Sequence, residues 1–229
     1  MRMAEKKLLD DFAKRRYRGL SFDEMNVLYD EDHERMSMDY DEYFGDMDLS
    51  EEQKEKRKES AEELEDVFKV LLALVFYLYM EEAYDYTSAI MEAQEAYNEI
   101  LAGANVSDYY VDIHVPNALN SIVSTMLNNP ENPFNFSIDR AILISENEAN
   151  SMWNDAEYVE ALRSGKKRKT WHTIIDKRTR DWHAEVNGQT KQITEPFVVS
   201  GELMQFPRDE SLGASGGNIV NCRCSASYS

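Results

Sequence analysis

The residues best suited to chemistry lie together in TWHTIIDKRTRDWHAEVNG, residues 170–188. This stretch holds two of the three tryptophans (Trp171, Trp182), two of the four histidines (His172, His183), and Asp176, Arg178 and Arg180. On a helix, the spacing of Arg180 and His183 puts both on one face. A guanidinium there could grip a phosphate while the imidazole moves a proton, the machinery of a small nuclease or transferase. The plainer reading has Arg180 bonding carboxylates or carbonyls and His183 packed in a small core. It is preferred, because an enzyme also needs an electrophile and a pocket within reach. The Gly-rich GASGGN, residues 213–218, lacks the lysine of a phosphate-binding loop.

The second group is NCRC near the end of the chain, with the only two cysteines, Cys222 and Cys224. In a strand, residues i and i+2 face the same way, so both thiols would share one face and Arg223 would take the other. Two thiolates are half of a zinc site. The other half would come from His172, His183 or Asp176. Structural zinc sites more often use Cys-x-x-Cys, and free cysteine is among the most buried residue types. Ordinary buried cysteines are therefore the preferred reading, with no metal or other cofactor expected. Their burial would make the C-terminal strand an inner strand, not a frayed end.

Several elements must position these groups. MAEKKLLDDFAKRRYRG reads as a helix closed by Gly19, and the acidic stretch over residues 21–46 as one short helix. The longest helical stretch starts after a Ser50 N-cap and meets no Pro or Gly until Gly103. A break is expected near Ala83–Thr87. Its apolar run Val67–Met80 is 14 residues long and contains Lys69, whereas a bilayer needs roughly 20. A buried helix is expected, and no membrane partner. VPNALNSIVSTMLNNPENPF gives a shorter helix. Ser137 caps another, with Ile138, Ala141, Ile142, Ser145, Ala149 and Met152 on one face and Gly165 at its end. Beyond it, KTWHTII, KQITEPFVV and NIVNCRCSAS read as strands, RTRDWHAE as a turn or two of helix, and Asn187-Gly188 as a hairpin-type turn. The fold class is α+β. A helical N-terminal region with a long helix, residues 1–136, precedes residues 137–229, which comprise a linking helix (137–165) and a small mixed α+β module (166–229). The two parts are expected to touch.

Charge narrows the function classes. The chain carries −19 over 229 residues, and residues 166–229 hold 10 Lys and Arg against 7 Asp and Glu, so the acidity lies in front. Binding of the whole chain to nucleic acid is disfavoured. The basic run Lys166-Lys167-Arg168-Lys169 is expected to neutralise the preceding helix or dock on a partner. Phe76, Tyr77, Tyr79, Tyr84, Tyr86 and Tyr97 are expected to offer an aromatic assembly surface. MRMAEKKLLDDF has no apolar core of a secretion signal.

Taken in order, Trp171, Asp176, Arg178, Thr179, Arg180, His183, Asn187 and Gly188, then Phe197, then Pro207 and Asp209, then Asn221, Cys222, Arg223 and Cys224 form one string. Over roughly residues 140–229 this string resembles the C-terminal domain of the Mu F-like phage head proteins, also called minor head or head morphogenesis proteins. The resemblance implies a minor capsid component of a tailed phage or prophage. It would associate with the portal protein during procapsid assembly, and with a major capsid or scaffolding protein as further possible partners. It would be found in the host cytoplasm and then in the virion head, with a possible influence on DNA packaging or ejection and weak or indirect DNA contact. Larger relatives carry toxin or peptidase domains after this module, so a chain ending in SASYS is expected to be the plain structural version. The alternatives are the Arg180/His183 enzyme and a zinc-stabilised binding module.

Overall fold

The computed structural model describes residues 40–83 and 85–229. The helix expected over residues 3–19, and most of the acidic stretch after it, lie outside the described residues; α1 (Tyr40–Gly45) falls within that stretch.

Helix α2 (Glu51–Met80) starts as expected from Ser50. Its hydroxyl accepts the Gln53 N–H at 3.3 Å, and the Gln53 carboxamide accepts the Ser50 N–H at 3.0 Å, a reciprocal capping box. The run after Val67 is core: Phe68, Leu71, Leu72, Val75 and Phe76 are buried. The helix stops at Met80 with Glu82 in the left-handed region, at the expected break. Helix α3 (Thr87–Leu101) returns along α2 and buries Ala89, Ala93, Tyr97 and Leu101, one residue in four on a single stripe. A π-helical turn, Tyr110–His114, leads into α4 (Val115–Asn128), and a 3₁₀ turn, Pro133–Phe136, leads into α5. Among the described residues no helix is long and apolar enough to cross a membrane.

Helix α5 (Ile138–Arg163) organises the molecule. Its Ser137 cap accepts the Arg140 N–H at 3.1 Å. Small residues Ala141, Ser145 and Ala149 are buried where it packs along α2, and β5 also lies against it. Residues 145–152 are all buried, although the run includes Glu146, Asn147, Glu148 and Asn150. A buried polar helix must have its groups paired, and the pairing builds the site described below.

The C-terminal module has a three-stranded antiparallel sheet, order β2-β1-β5, from β1 (Arg168–His172), β2 (Thr190–Gln192) and β5 (Ser225–Tyr228). Register pairs Trp171 with Ala226 and His172 with Ser225. A hairpin of β3 (Phe197–Val199) and β4 (Glu202–Met204) turns through Ser200 and Gly201, both at positive φ. Helices α6 (Asp181–Val186) and α7 (Gly216–Ile219) are short. The chain is α+β with a long helix in its front part and the small mixed module behind, and the two parts touch.

Five expectations are corrected. NIVNCRCSAS is not one strand: it runs through α7, a left-handed turn at Asn221 and an extended link before β5. The C-terminal strand is an edge strand, not an inner one; it is protected because α5 covers it. KQITEPFVV divides into β2 and β3. Phe76 and Tyr97 are core residues, so they offer no assembly surface; Tyr84 lies outside the described residues. In the basic run, Lys166, Lys167 and Arg168 are exposed but Lys169 is buried between the Tyr158 and Phe197 rings, its Nζ donating to Gln205 Oε1 at 2.6 Å. Burial lowers the Lys169 pKa to about 8.

Candidate functional site

Most residues of the Trp171-to-Cys224 string converge on the space between α6 and the extended link 222–224. Trp171 is fully buried, edge-on to Phe197, with ring centroids 5.3 Å apart. Its indole N–H donates to Thr173 Oγ1 at 3.0 Å, and that hydroxyl donates to the His183 carbonyl at 2.9 Å. Asn187 Oδ1 accepts the Thr173 N–H at 2.8 Å. Gly188 sits at φ 75°, where a side chain would be strained, and its N–H donates to the Trp171 carbonyl at 2.8 Å. The Asn-Gly turn therefore closes α6 back onto β1, with a helix inside the connection, not a tight hairpin.

Asp176, Arg178 and Thr179 form a side-chain-capped turn. Asp176 Oδ1 accepts the Arg178 N–H at 2.9 Å, and Thr179 Oγ1 accepts the Asp176 N–H at 3.1 Å. Asp176 also pairs with Arg223. Burial alone would raise the Asp176 pKa; the Arg223 guanidinium, the Arg178 N–H and the Thr179 hydroxyl outweigh it and hold the carboxyl below its ordinary value.

Arg180 is the extended residue before α6, so it does not share a helical face with His183 as expected. Its guanidinium donates to the Val220 carbonyl at 2.6 Å. His183 is 2% exposed. Its Nε2 is 3.2 Å from Asn218 Oδ1, and its Nδ1 is 3.6 Å from Cys222 Sγ and 3.5 Å from Cys224 Sγ. The cysteines face one way without being in a strand. Cys222 is drawn well below the ordinary thiol pKa, first by its hydrogen bond with Cys224, against burial, and then by His183; Cys224 is pushed well above it by the same hydrogen bond and burial. His172 takes no part. As the next residue after Trp171 on β1 it projects from the opposite sheet face, with Nδ1 2.7 Å from Asp48 Oδ2 and Nε2 2.7 Å from Ser227 Oγ. Asp176, committed to Arg223, does not join the cluster either.

Helix α5 holds this segment from behind through residues absent from the string. Asn150 Nδ2 donates to the Cys222 and Cys224 carbonyls at 3.1 and 3.3 Å, and Asn154 Nδ2 donates to the Cys224 and Pro207 carbonyls at 3.1 and 3.2 Å. Asn147 Nδ2 reaches Asn221 Oδ1 at 3.1 Å. Arg208, at φ 71°, donates to Asn147 Oδ1 at 2.6 Å. Buried Asp209 accepts the Gln205 and Ser211 N–H groups at 2.6 and 2.8 Å. The spacing Asn147, Asn150, Asn154 was the available sequence signal: a polar stripe at helical period within a helix read for its apolar face.

A second polar cluster escaped sequence reading altogether. The π-helical turn delivers His114 between two carboxylates, Nε2 2.8 Å from Glu148 Oε2 and Nδ1 2.9 Å from Glu210 Oε1. Burial opposes the imidazolium, but Glu148 and Glu210 outweigh it and push the His114 pKa up to about 9. Burial also opposes the Glu148 carboxylate; His114 and Arg208 outweigh it, leaving that pKa below its ordinary value. Tyr97 donates to Glu148 Oε2 at 2.9 Å. These groups edge a groove of about 500 Å³ between α4, α5 and the 208–221 segment.

The arrangement is that of a helical body with an α+β module locked onto its central helix by inward-facing polar groups. Residues 123–227 match the family model described as Phage Mu protein F like protein. The match begins earlier than residue 140 and takes in the end of α4. No curated protein and no solved structure matches the chain. The family suggests a phage head morphogenesis protein, a structural component of the virion head.

Proposed function

We propose that this chain is a minor head protein of a tailed phage or prophage that joins the portal during procapsid assembly in the host cytoplasm and stays in the finished head. The observation that carries this reading is the family match over residues 123–227. In this reading the helical region 1–136 and the head domain 137–229 are the two working parts, with α5 common to both. The string residues, Arg180 and His183 included, serve as architecture. Major capsid or scaffolding proteins are secondary partners. DNA contact is weak: the chain carries −19, and tight phosphate binding needs clustered Lys and Arg. Of the basic run Lys166–Lys169, only Lys166, Lys167 and Arg168 are exposed.

Co-expression with the portal protein from the same locus, followed by nuclease treatment and size exclusion, tests the proposal. Co-elution that survives nuclease supports it. Failure to co-elute at low salt, together with tight binding to bare DNA, overturns it.

A further inference from the structure

The cluster His183, Cys222 and Cys224 has the composition and spacing of a soft-metal centre. Both cysteines are free and buried, and the three ligand atoms all lie within 4.8 Å of one another. In tetrahedral zinc coordination, Zn–S near 2.3 Å and Zn–N near 2.0–2.1 Å place neighbouring sulfur and nitrogen ligands about 3.5–3.6 Å apart. The observed Nδ1–Sγ separations are 3.5 and 3.6 Å.

The tautomer of His183 suits a ligand. Asn218 Nδ2 donates to the Val199 carbonyl at 3.1 Å and to Glu202 Oε2 at 2.7 Å, which fixes its amide orientation. Asn218 Oδ1 is therefore the acceptor, taking the Trp182 indole N–H at 2.7 Å and facing His183 Nε2 at 3.2 Å. The ring proton sits on Nε2, and the Nδ1 lone pair points at the two sulfurs. Metal-binding histidines are held this way, the second nitrogen donating to a fixed acceptor. Beside the cluster, a cavity of about 20 Å³ is lined by Thr173, Arg178, Arg180 and Arg223 among others. That is room for one water, enough to complete four-coordination, and too little for a substrate.

We propose that His183 Nδ1, Cys222 Sγ and Cys224 Sγ bind one thiophilic divalent cation, zinc being the natural occupant, with a water as fourth ligand. Two metal–sulfur bonds form as two thiol protons leave to solvent, and the charge of the cation is balanced by the two thiolates. Sulfur and imidazole donors favour zinc over magnesium or calcium. The ion would staple α6 to the C-terminal segment across about forty residues of chain, the part a disulfide plays in oxidising compartments. The proposal is independent of the portal reading.

The test uses the full chain, purified under reducing conditions without chelator. About one equivalent of zinc by elemental analysis is expected. Cobalt(II) exchanged into the protein should give a near-ultraviolet thiolate-to-cobalt band, retained in His172→Ala and lost in Cys222→Ser and Cys224→Ser. Because a serine variant that fails to fold would also lose the band, the wild-type protein is also melted with and without a strong zinc chelator; a lower midpoint with chelator, restored by added zinc, is expected. A folded wild-type chain that takes up neither zinc nor cobalt in excess and melts identically with chelator overturns the proposal, as does a cobalt band that persists in the serine variants.

Discussion

Arg57 and Asn150, ninety-three positions apart, are joined in the interior by a bond from the guanidinium Nε to Asn150 Oδ1 of 3.3 Å. The same guanidinium donates to Asn154 Oδ1 at 3.3 Å and pairs with Glu157 at 2.8 and 2.9 Å. By holding both amide oxygens, Arg57 turns both amide nitrogens toward the carbonyls of Cys222 and Cys224. The helical body thus sets the orientation of groups that hold the module.

Arg57→Ala should destabilise the whole chain by roughly 3–5 kcal/mol, because it takes the guanidinium from part-buried Glu157, which keeps only Gln53, and from two buried amides. Chemical denaturation would read this. A loss below about 1 kcal/mol would show that the amides keep their orientation unaided.

His183→Ala should cost roughly 1–3 kcal/mol through the lost bond to Asn218 and the space left beneath Trp171. Thermal melting measures it. A variant with full thermal stability that has lost a measurable nuclease or transferase activity would favour the enzyme reading instead.

The His114 cluster imposes a pH dependence with a definite sign. A histidine whose folded pKa is raised from 6.5 to about 9 stabilises fully below the unfolded value and loses that contribution as pH rises through about 9. The lowered carboxyl of Glu148 acts oppositely, its contribution being lost as pH falls through the acid range. Denaturation midpoints should therefore decline on both sides of a plateau. His114→Asn should remove the alkaline decline between pH 7 and 9. An unchanged alkaline limb in that variant would place the titrating group elsewhere.

Deleting residues 222–229 should abolish soluble expression, since it removes β5, both thiols and the carbonyls that Asn150 and Asn154 hold. A truncated chain that is folded and monodisperse by size exclusion would contradict this.

The long elements were legible because their signals are local. Ser50 and Ser137 announce α2 and α5 through capping chemistry, the apolar period carries α2 to its break, and β1 reads from its alternation around Trp171. The end of the chain was misread because its conformation is set by distant partners. The carbonyls of Cys222 and Cys224 are taken by α5 amides instead of a strand ladder, and Asn221 adopts a left-handed turn that Asn tolerates. The same-face placement of the cysteines survives for that different reason. Asn218, Arg57, Lys169 and His114 could not be found from sequence, because a charged or polar residue reads as solvated until its partner, sixteen to a hundred positions away, is known. Pairing His172 with the cysteines failed on strand alternation, which already separates it from Trp171.

The proposed function has this chain entering phage heads by way of the portal. Quantitative mass spectrometry of purified procapsids, made with and without the portal gene and treated with nuclease, tests it most directly. A few copies of this chain per portal-containing head and none in portal-less heads are expected; its absence from both, or equal amounts in both, would overturn entry by way of the portal.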